Sequence, residues 1–375
     1  MMRIGILGST GSIGKQTLDV IRGLGPDYKV QLLACAKDTG ELERQIAEFS
    51  PETAVCGAHI PEKGARKLYE DLNILADPAL YADCDIVVNG IGGLAGLPPT
   101  LAVLESPAKL ATANKESLVA AGNLVKRVAE KKNKTLLPID SEHSAVWQCL
   151  EAKENIDHII LTASGGAFRD WSKDRLSSAV AKDALNHPTW RMGVKVTIDS
   201  ATLFNKAMEV AEARILFGQK DVRVLIHRES IVHALVGYKD GSYKASLSFP
   251  DMRLPIQYAL TADKRLATGI RPLALDEVGT LTFAKPDYDR FPCLALSEEL
   301  TSDYRGAVAC AADEILVDYY LREQIGFYDI PEMIFRALLY FGNGEIASAE
   351  QVSGIDRAVK EYTHKCMIQK YGGKK

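Results

Sequence analysis

The sequence predicts an α/β protein in three parts: an N-terminal Rossmann-type doubly wound sheet, a central α+β domain and a C-terminal helical bundle. Three observations carry this. Short apolar runs alternate with amphipathic stretches up to Asp140, as in a parallel sheet covered by helices on both faces. Past Asp140 the texture changes to strands around an Asp-Gly turn, and beyond Cys293 the pattern is helical to the end. With 375 residues the chain is longer than one growing core sustains, so more than one domain is expected. The division drawn is 1–140, 141–268, a linker at 269–293, and 294–375.

In the first part, residues 4–7, 30–34, 53–56, 86–89, 109–112 and 135–139 read as buried strands, being short and rich in Val, Ile and Leu. Helices fill several gaps, 11–24 closed by Gly25-Pro26 and 41–49 closed by Pro51. The central part opens with a strand at 158–163, then a Gly-containing loop, a polar loop around His187-Pro188, and a helix from about Ala201 to Phe217. Residues 232–238 and 242–249 pair across Lys239-Asp240-Gly241, whose Asp-Gly step marks a hairpin, so the second sheet is expected to be antiparallel or mixed. Three prolines between 269 and 292 mark the linker.

Composition narrows the function. A net charge of −4, with Lys and Arg scattered, provides no basic field for a nucleic-acid backbone. Seven cysteines, far apart and without a CxxC pair, read as reduced core thiols and not as a zinc cage or disulfide framework. No apolar run reaches membrane-spanning length, and Met1-Met2-Arg3 leads straight into a strand, so a cytoplasmic protein is expected.

Six segments carry chemistry. Gly8-Ser9-Thr10-Gly11-Ser12-Ile13-Gly14 joins a strand to a helix, where glycines let a pyrophosphate approach the backbone and the helix N-terminus meets its charge. The spacing is GxxGxxG and not GxGxxG, so the fingerprint rests on its context. After the second strand come Ala36-Lys37-Asp38: Lys37 suits the 2′-phosphate of NADP, whereas Asp38 keeps NAD in play. Asp140-Ser141-Glu142 follows the strand at 135–139, and residues two apart on extended backbone project to one side, giving oxygen ligands for Mg²⁺ or Mn²⁺; an N-cap is the competing reading. Asp199-Ser200 is expected to cap and start the helix that places Asn205 and Glu209 four apart beside Lys206, a set fitting a sugar phosphate and an ion, or else a solvated face. Ser164-Gly165-Gly166 offers a phosphate cradle, and the 187–193 stretch, with His187, Pro188, Trp190, Met192 and Gly193, suits a lid or else holds a core Trp.

In this order the segments GSTGSIG (8–14), ANKESLV (113–119), PIDSEHSA (138–145), LTASGGAF (161–168), HPTW (187–190), DSATLFNKAMEVAEA (199–213) and PDMRLPI (250–256) resemble the 1-deoxy-D-xylulose 5-phosphate reductoisomerase family along essentially the whole chain. The resemblance implies NADPH-dependent conversion of 1-deoxy-D-xylulose 5-phosphate to 2-C-methyl-D-erythritol 4-phosphate in non-mevalonate isoprenoid biosynthesis, by a homodimer. Mg²⁺ or Mn²⁺ is the implied ion, with Co²⁺ as an alternative. It implies metal ligands at Asp140, Glu142 and Glu209, phosphate contacts at Ser164, Ser200, Asn205 and Lys206, and hydroxyl and lid contacts at Lys115, Ser141, His187, Trp190 and Met192. Lys115 and His187 join the three carboxylates as the implied catalytic set. Cofactor contacts fall on Thr10, Gly11, Ser12, Ile13, Lys37, Asn114, Lys115 and Glu116, alongside Gly8, Gly14, Ala36 and Asp38 from the motif reading.

The chain departs from the family pattern at Ala36-Lys37-Asp38, often Gly-Lys-Asn, at Arg191, at Phe204, and at His227-Arg228-Glu229-Ser230 in place of His-Pro-Gln-Ser. Two rivals remain in view, a metal-free NADP dehydrogenase and a dinucleotide-sensing regulator. The carboxylate trio argues against both.

Overall fold

In the computed structural model, residues 1–60, 64–262, 264–267 and 269–372 are described. Aliphatic runs form the strands β1 (Met2–Leu7), β2 (Tyr28–Cys35), β3 (Thr53–Cys56), β4 (Lys67–Tyr69), β5 (Ile86–Asn89), β6 (Lys109–Thr112) and β7 (Leu137–Pro138). They lie in the order β4-β3-β2-β1-β5-β6-β7, each pair parallel. The limits of β3, β5 and β6 are those expected. β4 is additional; its three residues start with an exposed Lys67 and carry no apolar run that would mark a strand. β7 is shorter than the expected 135–139, although Ile139 N still donates to Thr112 O at 2.9 Å. Strand order reverses between β1 and β5, where a doubly wound sheet opens a crevice at the carboxyl ends of its strands.

Helices α1 (Ser12–Leu24), α2 (Thr39–Phe49), α3 (Leu97–Glu105), α4 (Lys115–Lys131) and α5 (Ser141–Cys149) follow in chain order. The chain divides into two compact units, the first comprising Met1–Asn114, Val125–Gln148 and Asp251–Arg271, the second Lys115–Leu124, Cys149–Pro250 and Pro272–Lys375. The apolar face of α1, through Leu18 and Ile21, packs with Ile4, Ile6 and Val88 of the sheet into the core of the first unit. Helix α4 leaves helical geometry at Ala121 (φ −151°, ψ 29°), close to the division at Leu124.

The second unit holds β8 (Ile156–Ala163), β9 (Val222–Ile226), β10 (Val232–Tyr238) and β11 (Tyr243–Leu247) in the order β11-β10-β8-β9. β8 and β9 are parallel and the other pairs antiparallel, so the sheet is mixed. The hairpin turns at Gly241 (φ 86°), as the Asp-Gly step requires. The helices here begin with α6 (Lys173–Leu176), α7 (Ala181–Ala184), α8 (Val194–Thr202) and α9 (Phe204–Phe217). After α10 (Arg253–Leu260), which returns Ile256 and Leu260 to the first core, come α11 (Leu275–Val278), α12 (Asp303–Leu321), α13 (Asp329–Phe341) and α14 (Ala349–Tyr371). Among the described residues no helix is long and apolar enough to cross a membrane.

One expectation is corrected. The helix expected from about Ala201 is two helices meeting at Leu203, which takes a left-handed conformation (φ 62°) while Thr202 Oγ1 accepts from Phe204 N at 3.2 Å. Asp199 therefore lies buried near the end of α8 and caps nothing. The Asn205–Glu209 spacing survives, because both sit on α9.

Candidate active site

At the carboxyl end of β1 the chain turns through residues 8–14. Gly8 N and Ser9 N both donate to Ala34 O at 2.9 Å, and Gly11 N donates back to Gly8 O at 3.0 Å. Gly14 is required by contact, since a Cβ there would lie 2.4 Å from Gly8 O and from Ser9 Cα. No side chain caps α1 at Gly11, so its first N–H groups are left for an anion. Thr10 and Ile13 are half-buried, Gly11 and Ser12 exposed. Such a cradle fits a dinucleotide pyrophosphate.

Ala36, Lys37 and Asp38 are exposed at the end of β2. Asp38 caps α2, its carboxylate accepting from Glu41 N at 3.2 Å. Asn114 is buried and braces a neighbouring loop, its Nδ2 donating to Gly93 O at 2.8 Å. Lys115 and Glu116, both buried, open α4 and belong to the second unit.

The acid-Ser-acid segment does not stand on extended backbone as expected, because β7 ends at Pro138 and α5 begins at Ser141. Asp140 Oδ1 accepts from Glu142 N at 3.2 Å, so the capping reading is correct as far as it goes. His143 Nδ1 lies 3.1 Å from the same oxygen, and Ser141 Oγ bonds the Glu142 carboxylate. Both carboxylates are part-buried and offer hard oxygens, the donor type that Mg²⁺ or Mn²⁺ takes.

In the second unit, Glu209 is 1% exposed and meets Lys115, Lys206 and Asn205. Lys115 Nζ reaches Glu209 Oε1 at 3.0 Å and Asn205 Oδ1 at 2.8 Å; Lys206 Nζ bonds Glu209 Oε2, and Asn205 Nδ2 bonds Oε1. Asn205 and Glu209 share a face one turn apart, so the expected alignment holds. Within this unit the ammonium groups of Lys115 and Lys206 meet the Glu209 carboxylate, and ammonium donors of this kind suit a phosphate.

Ser164 opens the turn out of β8, where Gly165 and Gly166 both have positive φ (85° and 68°) and Gly166 N donates to Ser164 Oγ at 3.2 Å. His187 spans the gap to α8: its Nε2 lies 3.1 Å from both Ser164 Oγ and Ser200 Oγ. Its Nδ1 accepts from Thr189 N (3.2 Å) and Trp190 N (2.9 Å), which places the ring proton on Nε2. Burial, aided by the charge of Arg169, lowers the His187 imidazole to about 4. Trp190 is half-buried with its ring centroid 6.1 Å from that of His233; Met192 is half-buried and Arg191 exposed.

The other departures have local partners. Arg228 pairs with Asp170 at 2.6 Å, Glu229 binds Thr282 Oγ1 at 2.7 Å, and Phe204 is fully buried. Arg169, which sequence reasoning passed over, donates to Ser164 O at 3.3 Å and to Arg228 O at 3.1 Å, holding the cradle from behind. An isolated arginine three residues past the Ser-Gly-Gly turn gives no signal of that role.

The chain is similar to known proteins along its length. Residues 4–122 match the family described as 1-deoxy-D-xylulose 5-phosphate reductoisomerase, residues 136–217 that enzyme's C-terminal domain, and residues 247–362 the DXP reductoisomerase C-terminal domain. The 1-deoxy-D-xylulose 5-phosphate reductoisomerase of Heliobacterium modesticaldum is 46% identical over 90% of each chain, and reductoisomerase 1 of Bacillus cereus 40% identical over 98% of this chain and 99% of its own. Among solved structures, a DOX-P reductoisomerase in complex with NADPH, fosmidomycin and magnesium is 35% identical, with a TM-score of 0.89 over 99% of each chain. The enzyme from Zymomonas mobilis in complex with NADPH is 33% identical, with a TM-score of 0.89 over 98% of this chain and 99% of its own.

Proposed function

The chain belongs to the 1-deoxy-D-xylulose 5-phosphate reductoisomerase family, and from that premise we propose which of its residues perform the family's reaction. The activity is the metal-dependent rearrangement of 1-deoxy-D-xylulose 5-phosphate and its NADPH-dependent reduction to 2-C-methyl-D-erythritol 4-phosphate. The observation that carries the residue assignment is Lys115 Nζ bonded to both Asn205 and Glu209, a residue some ninety positions away tied into one polar set.

Ser164, Ser200, Asn205 and Lys206 take the phosphate, and their hold supplies remote binding energy to the reacting end. Asp140, Glu142 and Glu209 hold a Mg²⁺ or Mn²⁺ ion, which polarises the substrate carbonyl and fixes the adjacent hydroxyl oxygen. Lys115 and Ser141 meet the substrate hydroxyls. His187, neutral with its proton on Nε2, donates toward the phosphate end, and Trp190 and Met192 close over the substrate to exclude water. The 8–14 turn takes the pyrophosphate, and Lys37 the 2′-phosphate, of NADPH, which supplies the hydride that reduces the rearranged aldehyde.

By role, residues 1–140 bind the cofactor, 141–268 the metal and substrate, 269–293 link, and 294–375 form the helical domain. A cytoplasmic homodimer completes the reading; seven buried free thiols suit a reducing compartment. The decisive assay follows NADPH oxidation with 1-deoxy-D-xylulose 5-phosphate, with and without Mg²⁺ or Mn²⁺. Turnover requiring both substrate and ion is expected; turnover persisting after exhaustive chelation would return the protein to the metal-free dehydrogenases.

A further inference from the structure

Helix α8 starts directly after the 187–193 loop and carries Ser200 in its last turn, so whatever fixes α8 also fixes Ser200 and the root of that loop. Its N-terminal turn holds Lys195, whose ammonium lies 2.6 Å from Asp199 Oδ2 on the same helix and 2.5 Å from Asp313 Oδ2 on α12. Asp199 is 1% exposed and Asp313 fully buried. Among the described residues, Oδ1 of each accepts from no N–H or other donor apart from the facing carboxyl. Two carboxyls and one ammonium are neutral together if one carboxyl keeps its proton. Burial first, and then mutual repulsion, raise Asp199 well above the usual carboxylate range, and burial raises Asp313 as well. Among the described residues, Glu116 of α4, Cys293 before α12 and Cys310 within it also face the cluster. The Phe204 ring centroid lies 6.0 Å from the ammonium.

A buried ion cluster costs desolvation, and replacing one with apolar residues is often neutral for stability, so stability alone does not explain it. What it supplies is a directed tether between two helices. We propose that Lys195, Asp199 and Asp313 are positioning residues for the phosphate end of the substrate, a buried clamp that fastens α8 to α12 and so fixes Ser200 and the base of the 187–193 loop. This rests on the reading of Ser200 as a phosphate ligand.

Two variants separate tether from charge. Asp313→Asn keeps an oxygen that accepts from Lys195, and Asp199 then ionises to balance the ammonium. Asp313→Leu fills similar space and leaves the Lys195–Asp199 pair intact but cuts the link to α12. In Asp313→Leu the substrate KM rises about tenfold while kcat stays within about threefold. NADPH affinity is unchanged, and backbone amides 194–202 of the unliganded protein exchange hydrogen faster; Asp313→Asn stays near the parent on every measure. Should Asp313→Leu not fold, Lys195→Met cuts the same tether from the other helix and leaves two neutral carboxyls. A folded tether variant with the parent's KM and exchange overturns the clamp, as does an Asn variant impaired like Leu. Parental failure to turn over the sugar phosphate counts against the function proposed above, while the exchange of residues 194–202 still decides the clamp.

Discussion

Asp38 holds the start of α2 and stands beside Lys37, so its two effects must be separated by substitution. Asn caps a helix about as well as Asp, which makes Asp38→Asn a change of charge alone. With the repulsion gone, NADPH is expected to bind about two- to threefold tighter, the scale of an exposed charge contact. Thermal stability should hold, and a weaker affinity in a fluorescence titration would contradict this. Lys37→Ala should weaken NADPH about tenfold, by loss of one charge-assisted contact, and leave NADH unaffected; equal losses for both cofactors would remove Lys37 from the 2′-phosphate. His187 has a sign that can be worked out. Its folded value of about 4 lies below the ordinary 6.5, so the unfolded chain binds a proton more readily in that window. Stability from this residue is present above about pH 6.5 and is lost as the pH falls toward 4. An NMR titration of the imidazole in the unliganded protein should show a midpoint well under 6.5, and a midpoint at or above that value would mean the ring is not held as described.

At the scale of elements, the junction between the 164–166 turn and the end of α8 is where the phosphate residues of separate segments are brought into register. Gly166 has φ 68°, and a Cβ on it would lie 2.5 Å from Ser200 O. Gly166→Ala therefore adds backbone strain of about 1–3 kcal/mol and pushes the turn away from α8. Substrate KM should rise about tenfold or more while NADPH affinity stays put; an unchanged KM would show that this contact does not set the Ser164–Ser200 spacing. The elements most legible in the sequence were those whose pattern matched one physical cause, such as β3, β5 and β6, apolar on both faces, and the hairpin at Asp240-Gly241. The α8–α9 break was not legible, because Leu203 is neither Gly nor Asn and nothing in its type announces positive φ. The same holds for Asp199, whose acid-Ser sequence imitates a cap but whose partners, Lys195 and Asp313, include one over a hundred residues away. The candidate site divided similarly. The i, i+4 relation of Asn205 and Glu209 followed from spacing, whereas Lys115 entered only through the family resemblance, since no periodicity links α4 to α9.

For the whole molecule, metal binding and cofactor binding are separate linkages that one substitution should uncouple. An ion that binds only the folded chain stabilises it by about 2.7 kcal/mol at a hundredfold excess over its dissociation constant, so Mg²⁺ is expected to raise the unfolding temperature of the parent. Glu209→Gln removes the one carboxylate that the second unit contributes to the proposed ligand set. It also takes the anion from beside Lys115 and Lys206, so the variant is expected to start about 1–3 kcal/mol less stable even without metal. The absolute unfolding temperature is for that reason the wrong measure, and the shift on adding each ligand is the right one. In Glu209→Gln the Mg²⁺-induced shift should vanish while the NADPH-induced shift remains, because the 8–14 turn and Lys37 lie in the first unit and make no use of Glu209. Metal-dependent turnover should be lost together with the Mg²⁺ shift. Should the variant keep the full Mg²⁺ shift, or lose both shifts together, Glu209 would be an ion-pair partner of Lys115 and Lys206 within the fold and not a ligand of the ion.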